Sequence, residues 1–349
     1  MDKNKIINLK IINFFFIIII FNFITISCLA KGFNLKNKVS DLFQKIEKKY
    51  DSPKTEIDKQ ADIKTNISTN TENLIASASN DINFEKYGFL KQEQVEIKLL
   101  MTQKIGKNFD SENVKFIGCQ GFTTDGEYFY VAILSSGKEI DKHTKILKIS
   151  IKDLKIVKEQ DFGTIGHTNS LTYNSKTQKL YTAPLYKEWG GIFEFDTDLT
   201  NLKKIQLLNK DGSFIDNQQF KSVAYSKELD QYIVKYNEFT LAYFSSEFKI
   251  LKTKKLKVRM ALTTTQALST DEVNLYSVTN DYNINPRVVK NNHIIIYDSN
   301  GNYIGRYVFE KKLGKGEELQ QITFENGSCY AMSFWKGNFR IYQVMLRSK

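Results

Sequence analysis

The sequence predicts an all-β fold in which five similar sheets surround a central channel, the architecture called a five-bladed β-propeller. Three observations support this prediction. A block made of a strand, a polar turn and an aromatic-rich strand occurs five times, the copies follow at similar intervals, and a second hairpin-like pair follows each of the first four copies. Repeats of about 40 to 50 residues with four strands each are typical of propellers.

The repeated block is the strongest signal in the chain. Its copies occupy residues 120–132, 169–183, 221–234, 265–278 and 320–332. The first apolar positions of successive copies are 49, 52, 44 and 55 residues apart, and these positions are Phe122, Leu171, Val223, Ala267 and Ile322. Between the copies, apolar and polar residues alternate and Asp, Asn and Gly mark the turns, which predicts antiparallel strands.

The last blade lacks one strand at the C-terminal end of the chain. After the fifth copy the sequence offers a single further strand, at 339–346, whereas residues 94–101 alternate in the same way without a partner of their own. We predict that this N-terminal strand completes the fifth blade, closes the ring and covers an exposed sheet edge. Deletion of residues 92–101 should therefore unfold the domain, and deletion of residues 53–80 should not.

The N-terminus has the pattern of a secretory signal peptide. Lysines at positions 3, 5 and 10 precede a nearly unbroken apolar run at 11–26, as in a positively charged region followed by an apolar region. The run is shorter than the roughly 20 apolar residues of a membrane-spanning helix, although an uncleaved anchor is a further option.

Two processing outcomes remain open for this signal. Cys28 follows the small residue Ser27, which resembles a bacterial lipobox with its acylated cysteine, although Thr25 and Ile26 depart from the aliphatic and small residues that a lipobox favours. Cleavage after Ala30 would release a soluble protein instead. We favour the lipoprotein, because a cysteine at this location is otherwise rare. It predicts an anchor on the extracellular face of a bacterial membrane, since more than one acyl chain suffices for stable anchoring.

The segment between signal and propeller is polar. Residues 31–50 show helical spacing of apolar side chains, whereas 51–83 are rich in Thr, Asn, Ser, Lys and Asp and cannot bury enough apolar surface to offset the entropy of ordering. We therefore divide the chain into a signal peptide (1–30), a flexible, partly helical stalk (31–90) and the propeller (91–349).

Composition argues against several other classes of function. The formal charge of +11 attracts anionic polymers in principle, but the chain has five arginines and its lysines are scattered, so we expect no nucleic-acid partner. Three histidines and three cysteines are too few for a metal scaffold, and we expect neither a metal nor a cofactor. Cys119 and Cys329 fall toward opposite ends of their strands, which predicts free buried thiols.

The candidate site is the channel mouth at the starts of the innermost strands. The residues just before or at each first strand are mostly amides: Gln120, His167, Asn169, Lys221, Gln266 and Gln320. Such side chains suit hydrogen bonding to a sugar or another polar ligand, and they can equally satisfy one another around channel water. Trp189, before the bend at Gly190 and Gly191, either stacks on a sugar or is buried.

Two further features have competing interpretations. His167 is suited to act as a general base or ligand contact near neutral pH, or it bridges neighbouring blades. Residues 298–302 alternate oxygen-bearing side chains like a calcium loop, but Phe309 stands where the bidentate glutamate of such a loop is expected. We therefore predict a hairpin turn there.

Two stretches resemble a family of bacterial and phage propellers. Cys-Gln-Gly-Phe-Thr-Thr-Asp-Gly at 119–126 and Gly-His-Thr-Asn-Ser-Leu-Thr-Tyr-Asn-Ser-Lys-Thr at 166–177 are similar to motifs at blade starts in teichoic-acid-associated and phage receptor-binding proteins. The resemblance covers about residues 113–346. It implies recognition of a surface glycopolymer, with Gln120, His167 and Asn169 as the carried positions.

Residues 120–122 also look like the start of plant-type glutaminyl cyclases, which are five-bladed. That family places an acidic catalytic residue after a tyrosine, but here Tyr130 is followed by Val131, so the proton-transfer group is missing. Glycosidases need at least two suitably spaced carboxylates, and Glu317 and Glu318 alone lie near the predicted strand starts.

The sequence thus predicts a secreted or lipid-anchored monomer whose propeller binds carbohydrate, a cell-surface polymer or a protein partner without catalysis. The alternative is a hydrolase or lyase that acts on a surface glycan or peptide with His167 as acid or base. Replacing His167 by alanine separates the two, because it abolishes turnover in an enzyme and only weakens retention on wall polymer in a binding protein.

Overall fold

β-Branched and aromatic residues fill the repeated segments, and the turns between them carry Asn, Asp and Gly, so the chain folds into strands throughout its described part. The structure is a computed structural model that describes residues 94–347, except 112, 138–142, 186–189, 216–217, 237–239, 257–262, 285–286 and 310–311. The predictions for the signal peptide, Cys28, the stalk and Trp189 concern residues outside this described part.

Contacts divide the chain into two units. Asp81–Tyr282 and Val289–Lys349 form the unit that holds the propeller. The other unit, Met1–Asn80 with Asn283–Val288, lies almost wholly outside the described residues. Among the strands and turns that are described, no helix is long and apolar enough to cross a membrane.

Within the described residues, twenty strands form five sheets of four strands each, which confirms the predicted fold. The first blade contains β2 (Phe116–Thr124), β3 (Tyr128–Ser135), β4 (His143–Ser150) and β5 (Ile156–Thr164). The second contains β6 (Ser170–Asn174), β7 (Lys179–Ala183), β8 (Gly191–Asp196) and β9 (Lys203–Gln206). The third contains β10 (Phe220–Ser226), β11 (Gln231–Tyr236), β12 (Thr240–Phe244) and β13 (Ile250–Lys255).

The remaining strands make the last two blades. The fourth contains β14 (Thr263–Thr270), β15 (Asn274–Ile284), β16 (Arg287–Asp298) and β17 (Tyr303–Val308). The fifth combines β18 (Glu318–Glu325), β19 (Ser328–Trp335) and β20 (Asn338–Arg347) with β1 (Gln94–Lys104) from the other end of the propeller.

The ring is closed by β1, as predicted. This strand pairs antiparallel with β20, from Gln94 opposite Arg347 to Lys104 opposite Asn338. Val95 is 3% exposed and belongs to the core of the fifth blade. The closing strand is therefore part of the packed structure as well as a cover for the sheet edge.

The hydrophobic core consists of five clusters, one between each pair of neighbouring blades. Because a blade contacts a neighbour on both faces, its inner strands are buried on both sides: seven of the eight residues of β3 are buried. The outermost strands β5 and β13 expose most of their side chains. Full burial of one large apolar side chain stabilises the fold by about 1.5–3 kcal/mol, so the inter-blade clusters hold the ring together.

Several local predictions can now be compared with the structure. Cys119 and Cys329 are free and buried, and burial raises the pKa of both thiols. The predicted turn after Asp298 is present, with Gly301 N donating to Asp298 O at 2.9 Å. Of the two other histidines, His143 begins β4, and His293 is buried inside β16.

Candidate functional site

The channel is lined by side chains that occupy equivalent positions in the five inner strands β2, β6, β10, β14 and β18. The reference position is the apolar residue that pairs with the second strand and enters the core: Phe122, Leu171, Val223, Leu268 and Ile322. In the fourth blade this residue is Leu268, one position after the predicted Ala267, because the β-bulge there spans both Gln266 and Ala267.

Three rings of side chains follow from this register. The bulge ring lies two residues before the reference position and consists of Gln120, Asn169, Lys221, Gln266 and Gln320. The middle ring lies one residue before it and consists of Gly121, Ser170, Ser222, Ala267 and Gln321. The hydroxyl ring lies one residue after it and consists of Thr123, Thr172, Ala224, Ser269 and Thr323.

The bulge ring contains every amide and lysine side chain predicted from the strand starts. In four blades these residues coincide with a register irregularity, which explains their common position, since a bulge leaves an unpaired residue and redirects its side chain. We call the channel opening at this end the start mouth, and the opening at the C-terminal ends of the inner strands the end mouth.

Three members of the bulge ring are connected by hydrogen bonds. The Asn169 Nδ2 group donates to Lys221 O at 2.7 Å and also to Gln266 O. The Gln266 Nε2 group donates to Glu318 Oε1 at 2.5 Å and to Tyr282 Oη at 3.1 Å. The start mouth therefore uses these amides to join the second, third, fourth and fifth blades.

The two other amides of the ring have buried atoms without partners. Gln320 is 1% exposed, and neither its Oε1 nor its Nε2 has a hydrogen-bond partner among the described residues. The Oε1 atom of half-buried Gln120 likewise has no hydrogen-bond partner among the described residues. An unpaired buried amide costs about 1–3 kcal/mol, so a water molecule or a ligand group that reached these atoms would stabilise them.

His167 lies at the same end of the channel, two residues before Asn169. Its side chain is half-buried, and its backbone N–H donates to Pro184 O at 3.1 Å. The structure thus places Gln120, His167 and Asn169 at one mouth, as the sequence predicts, and their role in ligand binding stays a prediction. Trp189, the last of the predicted contacts, lies outside the described residues.

Glu317 serves the fold. Its carboxylate is fully buried and accepts hydrogen bonds from Ser333 Oγ, from Tyr342 Oη at 2.6 Å and from Arg340 Nη1 at 3.0 Å. These contacts join strands of the fifth blade. Within the described part of the chain, no group of three or more His, Cys, Asp or Glu side chains could hold a metal ion.

The middle ring closes the channel between the two mouths. Four of its members are glycine, serine or alanine, whereas the fifth is Gln321, which is 1% exposed. Its Oε1 accepts from Phe122 N at 2.8 Å and from Leu171 N at 3.0 Å, and its Nε2 donates to Leu171 O at 2.6 Å. One long side chain from the fifth blade therefore reaches the first and second blades across the channel.

Gly121 shows how close the inner strands are. A Cβ atom at this position would lie 2.8 Å from Leu171 Cγ and 3.0 Å from Thr168 O. No larger residue fits without displacing the second blade, so the Gln-Gly-Phe sequence has a packing reason independent of any ligand.

The end mouth holds a cavity of about 60 Å³, which is room for a few water molecules or part of a small ligand. Gln321 and Leu171 are among its lining residues, and its polar lining includes Thr172, Tyr173, Lys227, Glu272, Thr323 and Glu325. The sequence pattern did not predict a site at this end of the channel. A signal was present, because the first strand of each repeat ends in polar or aromatic residues such as Thr124, Tyr173 and Glu325.

Carboxylates of different blades influence one another at the end mouth. Burial raises the pKa of Glu325; the ammonium of Lys227 opposes this effect, and the charges of Asp125 and Glu272 add to it. Burial and the charges of Asp125 and Glu325 likewise raise the pKa of Tyr173. An acid with a raised pKa in a cleft is a common feature of functional sites.

Glu272 occupies an unusual backbone position. Its turn matches the one at Gly126: Thr124 Oγ1 accepts from Gly126 N at 3.0 Å, and Thr270 Oγ1 accepts from Glu272 N at 3.0 Å. Gly126 has a φ of 92°, and Glu272 has a φ of 79°, a region that glycine tolerates and a glutamate adopts at a cost of about 1–3 kcal/mol. The Glu272 carboxylate accepts from Ser226 Oγ at 2.9 Å and from Glu228 N at 3.0 Å in the third blade.

Comparison with known proteins supports the fold. A tail fibre of Staphylococcus aureus phage P68 is similar over 74% of this chain, with a TM-score of 0.50 and 12% sequence identity. The matched region is 54% of the tail fibre's length, so the chain spans about half of that protein. The β-propeller domain of Myceliophteria thermophila Cps50 (Swd1) aligns with 72% of this chain and all of its own, but a TM-score of 0.38 and 9% identity are too low to support an argument.

The other comparisons do not identify a family. No protein-family model and no curated protein match the sequence. Because 1067 chains of solved structures are similar to this one, and because one fold serves many functions, the propeller alone does not select a ligand. The described residues form a five-bladed propeller.

Proposed function

We propose that this protein is a non-catalytic binding protein that recognises carbohydrate of a cell-surface polymer through its propeller channel. The observation that carries the proposal is the lining of the channel: all five blades contribute, and most of the contributed side chains are neutral amides and hydroxyls. Sites of this kind hold polar ligands by a few well-placed hydrogen bonds. The resemblance of residues 119–126 and 166–177 to glycopolymer-binding propellers favours the same ligand class.

The proposal includes the location of the protein. A signal peptide with Cys28 as acylation site would anchor the chain to the outer face of a bacterial membrane, and residues 31–90 would act as a spacer. Mass spectrometry of the mature N-terminus tests this part. An acylated Cys28 supports the anchor, whereas an unmodified N-terminus at Lys31 contradicts it, and Cys28→Ala serves as the matched variant that should lose the lipid.

Binding of the full chain to a glycan array and to purified wall polymer tests the function. We expect retention on at least one polymer class, without release of fragments during prolonged incubation. His167→Ala should weaken retention if His167 contacts the ligand. Release of fragments by the wild type, abolished in this variant, would instead establish a hydrolase or lyase. Absence of any glycan binding would reject the proposal and favour a protein partner.

A further inference from the structure

We propose that the end mouth is the binding site for one uncharged, polyhydroxylated ring, a terminal sugar of the polymer. This inference rests on the proposed function and names the site and the chemistry of recognition. It differs from the prediction based on the sequence, which assigned the ligand to the start mouth.

The shape of the end mouth suits the end of a ligand. The cavity includes both Gln321 and Leu171 in its lining, and the Gln321 amide is bonded to Leu171 on both of its polar atoms. Behind these residues the inner strands approach so closely that a Cβ on Gly121 would collide with the second blade. A ligand that enters the end mouth therefore meets a closed floor, which favours a chain end over the middle of a polymer.

The polar groups around the cavity combine acceptors, a donor and hydroxyls. Glu272 and Glu325 present carboxylate oxygens, Lys227 presents an ammonium, and Thr172 and Tyr173 can both donate and accept. Only a ligand that carries hydrogen-bond donors and acceptors close together can pair with all of these groups. A sugar ring meets this requirement, because each of its hydroxyls is both a donor and an acceptor. Two carboxylates at the rim disfavour an anionic ligand.

Important groups at this mouth are not used by the fold. The Glu325 carboxylate accepts no hydrogen bond from any described residue, although burial and neighbouring carboxylates raise the pKa of this group. Lys227 acts on this carboxyl through charge, but in the described part of the structure the two do not form a contact ion pair. Asn169 and Gln266 at the start mouth are hydrogen-bonded to other blades, and so is the Glu272 carboxylate at the end mouth, which is bonded to the third blade. The capacity of the end mouth for a ligand therefore lies in the Glu325 carboxylate and the Lys227 ammonium.

Glu272 supports this assignment independently of charge. The same turn in the first blade has Gly126, and the glutamate adopts a left-handed backbone conformation in its place. Strained residues persist where the surrounding structure or a function requires them. A Glu272→Gly variant restores the residue type of the first blade and relieves the backbone. It removes the carboxylate from the cavity together with its hydrogen bonds to the third blade.

Ligand-observed NMR titration of the full chain tests the inference. The probes are D-glucose, D-galactose, N-acetyl-D-glucosamine and, as the anionic counterpart of glucose, D-glucuronate. We expect binding of at least one neutral sugar, with Kd raised about tenfold or more in Glu272→Gly and in Glu325→Ala, because each loses a hydrogen bond to a charged group. Glu127→Gln is the control: it removes an exposed carboxylate from the turn at Gly126, outside the cavity lining, and should bind like the wild type. Thermal melting checks that all variants are folded.

Several outcomes would overturn the inference. These are the absence of binding by all three neutral sugars, unchanged affinity in both folded end-mouth variants, and glucuronate binding as tight as glucose. Loss of binding in Gln120→Ala together with wild-type affinity in both end-mouth variants would place the ligand at the start mouth. If the array detects a glycan that the end-mouth variants bind as tightly as the wild type does, the proposed function stands and this inference fails.

Discussion

The two mouths of the channel are built from the same repeat, yet they use their polar side chains differently. At the start mouth, Asn169 and Gln266 connect blades to one another. At the end mouth, Glu272 also bonds to another blade, from a left-handed backbone conformation, but the half-buried Glu325 carboxylate accepts no hydrogen bond from any described residue. The comparison teaches that a polar ring in a propeller is not by itself a site, because its hydrogen bonds are first available to the neighbouring blades.

The two kinds of polar group also differ in their effect on the stability of the fold. Removing a polar group that joins blades lowers stability, whereas removing a charged group that is buried without a partner raises it. Residues that reduce stability are characteristic of functional sites.

The largest expected effect is unfolding of the whole propeller, which abolishes both mouths. Deletion of residues 92–101 takes away most of β1, exposes the edge of β20 and removes Val95 from the core, so we expect the cooperative thermal transition of the propeller to disappear. Deletion of residues 53–80, outside the described residues, is the matched control. Circular dichroism melting compares the two, and similar melting curves would contradict the role of β1.

The second largest effect on stability is expected from Gln321, the side chain that lies between the two mouths. Gln321→Leu keeps a similar volume but leaves the buried N–H groups of Phe122 and Leu171 without their acceptor. We expect the free energy of unfolding to fall by about 3–5 kcal/mol, since each buried unpaired group costs about 1–3 kcal/mol. Urea denaturation measures the change, and a loss below about 1 kcal/mol would show that Gln321 does not join the blades.

A smaller loss is expected at the start mouth. Asn169→Ala removes the amide that donates to Lys221 O and Gln266 O, which are in the third and fourth blades. We expect destabilisation by about 1–2 kcal/mol in the same urea experiment. A variant as stable as the wild type would mean that the Asn169 amide does not join the blades.

The smallest effect has the opposite sign and depends on pH. Burial raises the pKa of Glu325 in the folded protein, so ionisation of this group opposes folding above that pKa, and the penalty disappears below the pKa of the unfolded chain. Glu325→Gln should therefore raise the melting temperature by about 1 °C at pH 7 and leave it unchanged near pH 4. Equal melting at pH 7, or a difference confined to acid pH, would contradict this assignment.

The sequence was sufficient to predict the fold and the residues of one of the two mouths, the start mouth. Repeat spacing and the unpaired segment at 94–101 predicted five blades and their closure, because strand number and chain order are visible in hydrophobic patterning. The same patterning identified the bulge ring, since Gln120, Asn169, Lys221 and Gln320 all precede the first apolar residue by two positions.

The sequence was not sufficient to assign roles within the rings. Gln320 and Gln321 are adjacent and chemically identical, yet the first has no partner among the described residues and the second bridges three blades. This contrast depends on strand register and on distances across the channel, which a linear pattern does not contain. The equivalence of Gly126 and Glu272 was also hidden, because it requires the backbone angles of both turns.

The pairing of β1 with β20 also has a mechanical consequence. The inter-strand hydrogen bonds are perpendicular to the strands, and the chain enters β1 at Gln94, opposite Arg347. A pull on the chain before Gln94 that is directed along β1 loads the hydrogen bonds of this strand together in shear, so that none is peeled open first. A propeller held under flow by its N-terminal side would thus resist such a force through the β1–β20 pairing that closes the ring.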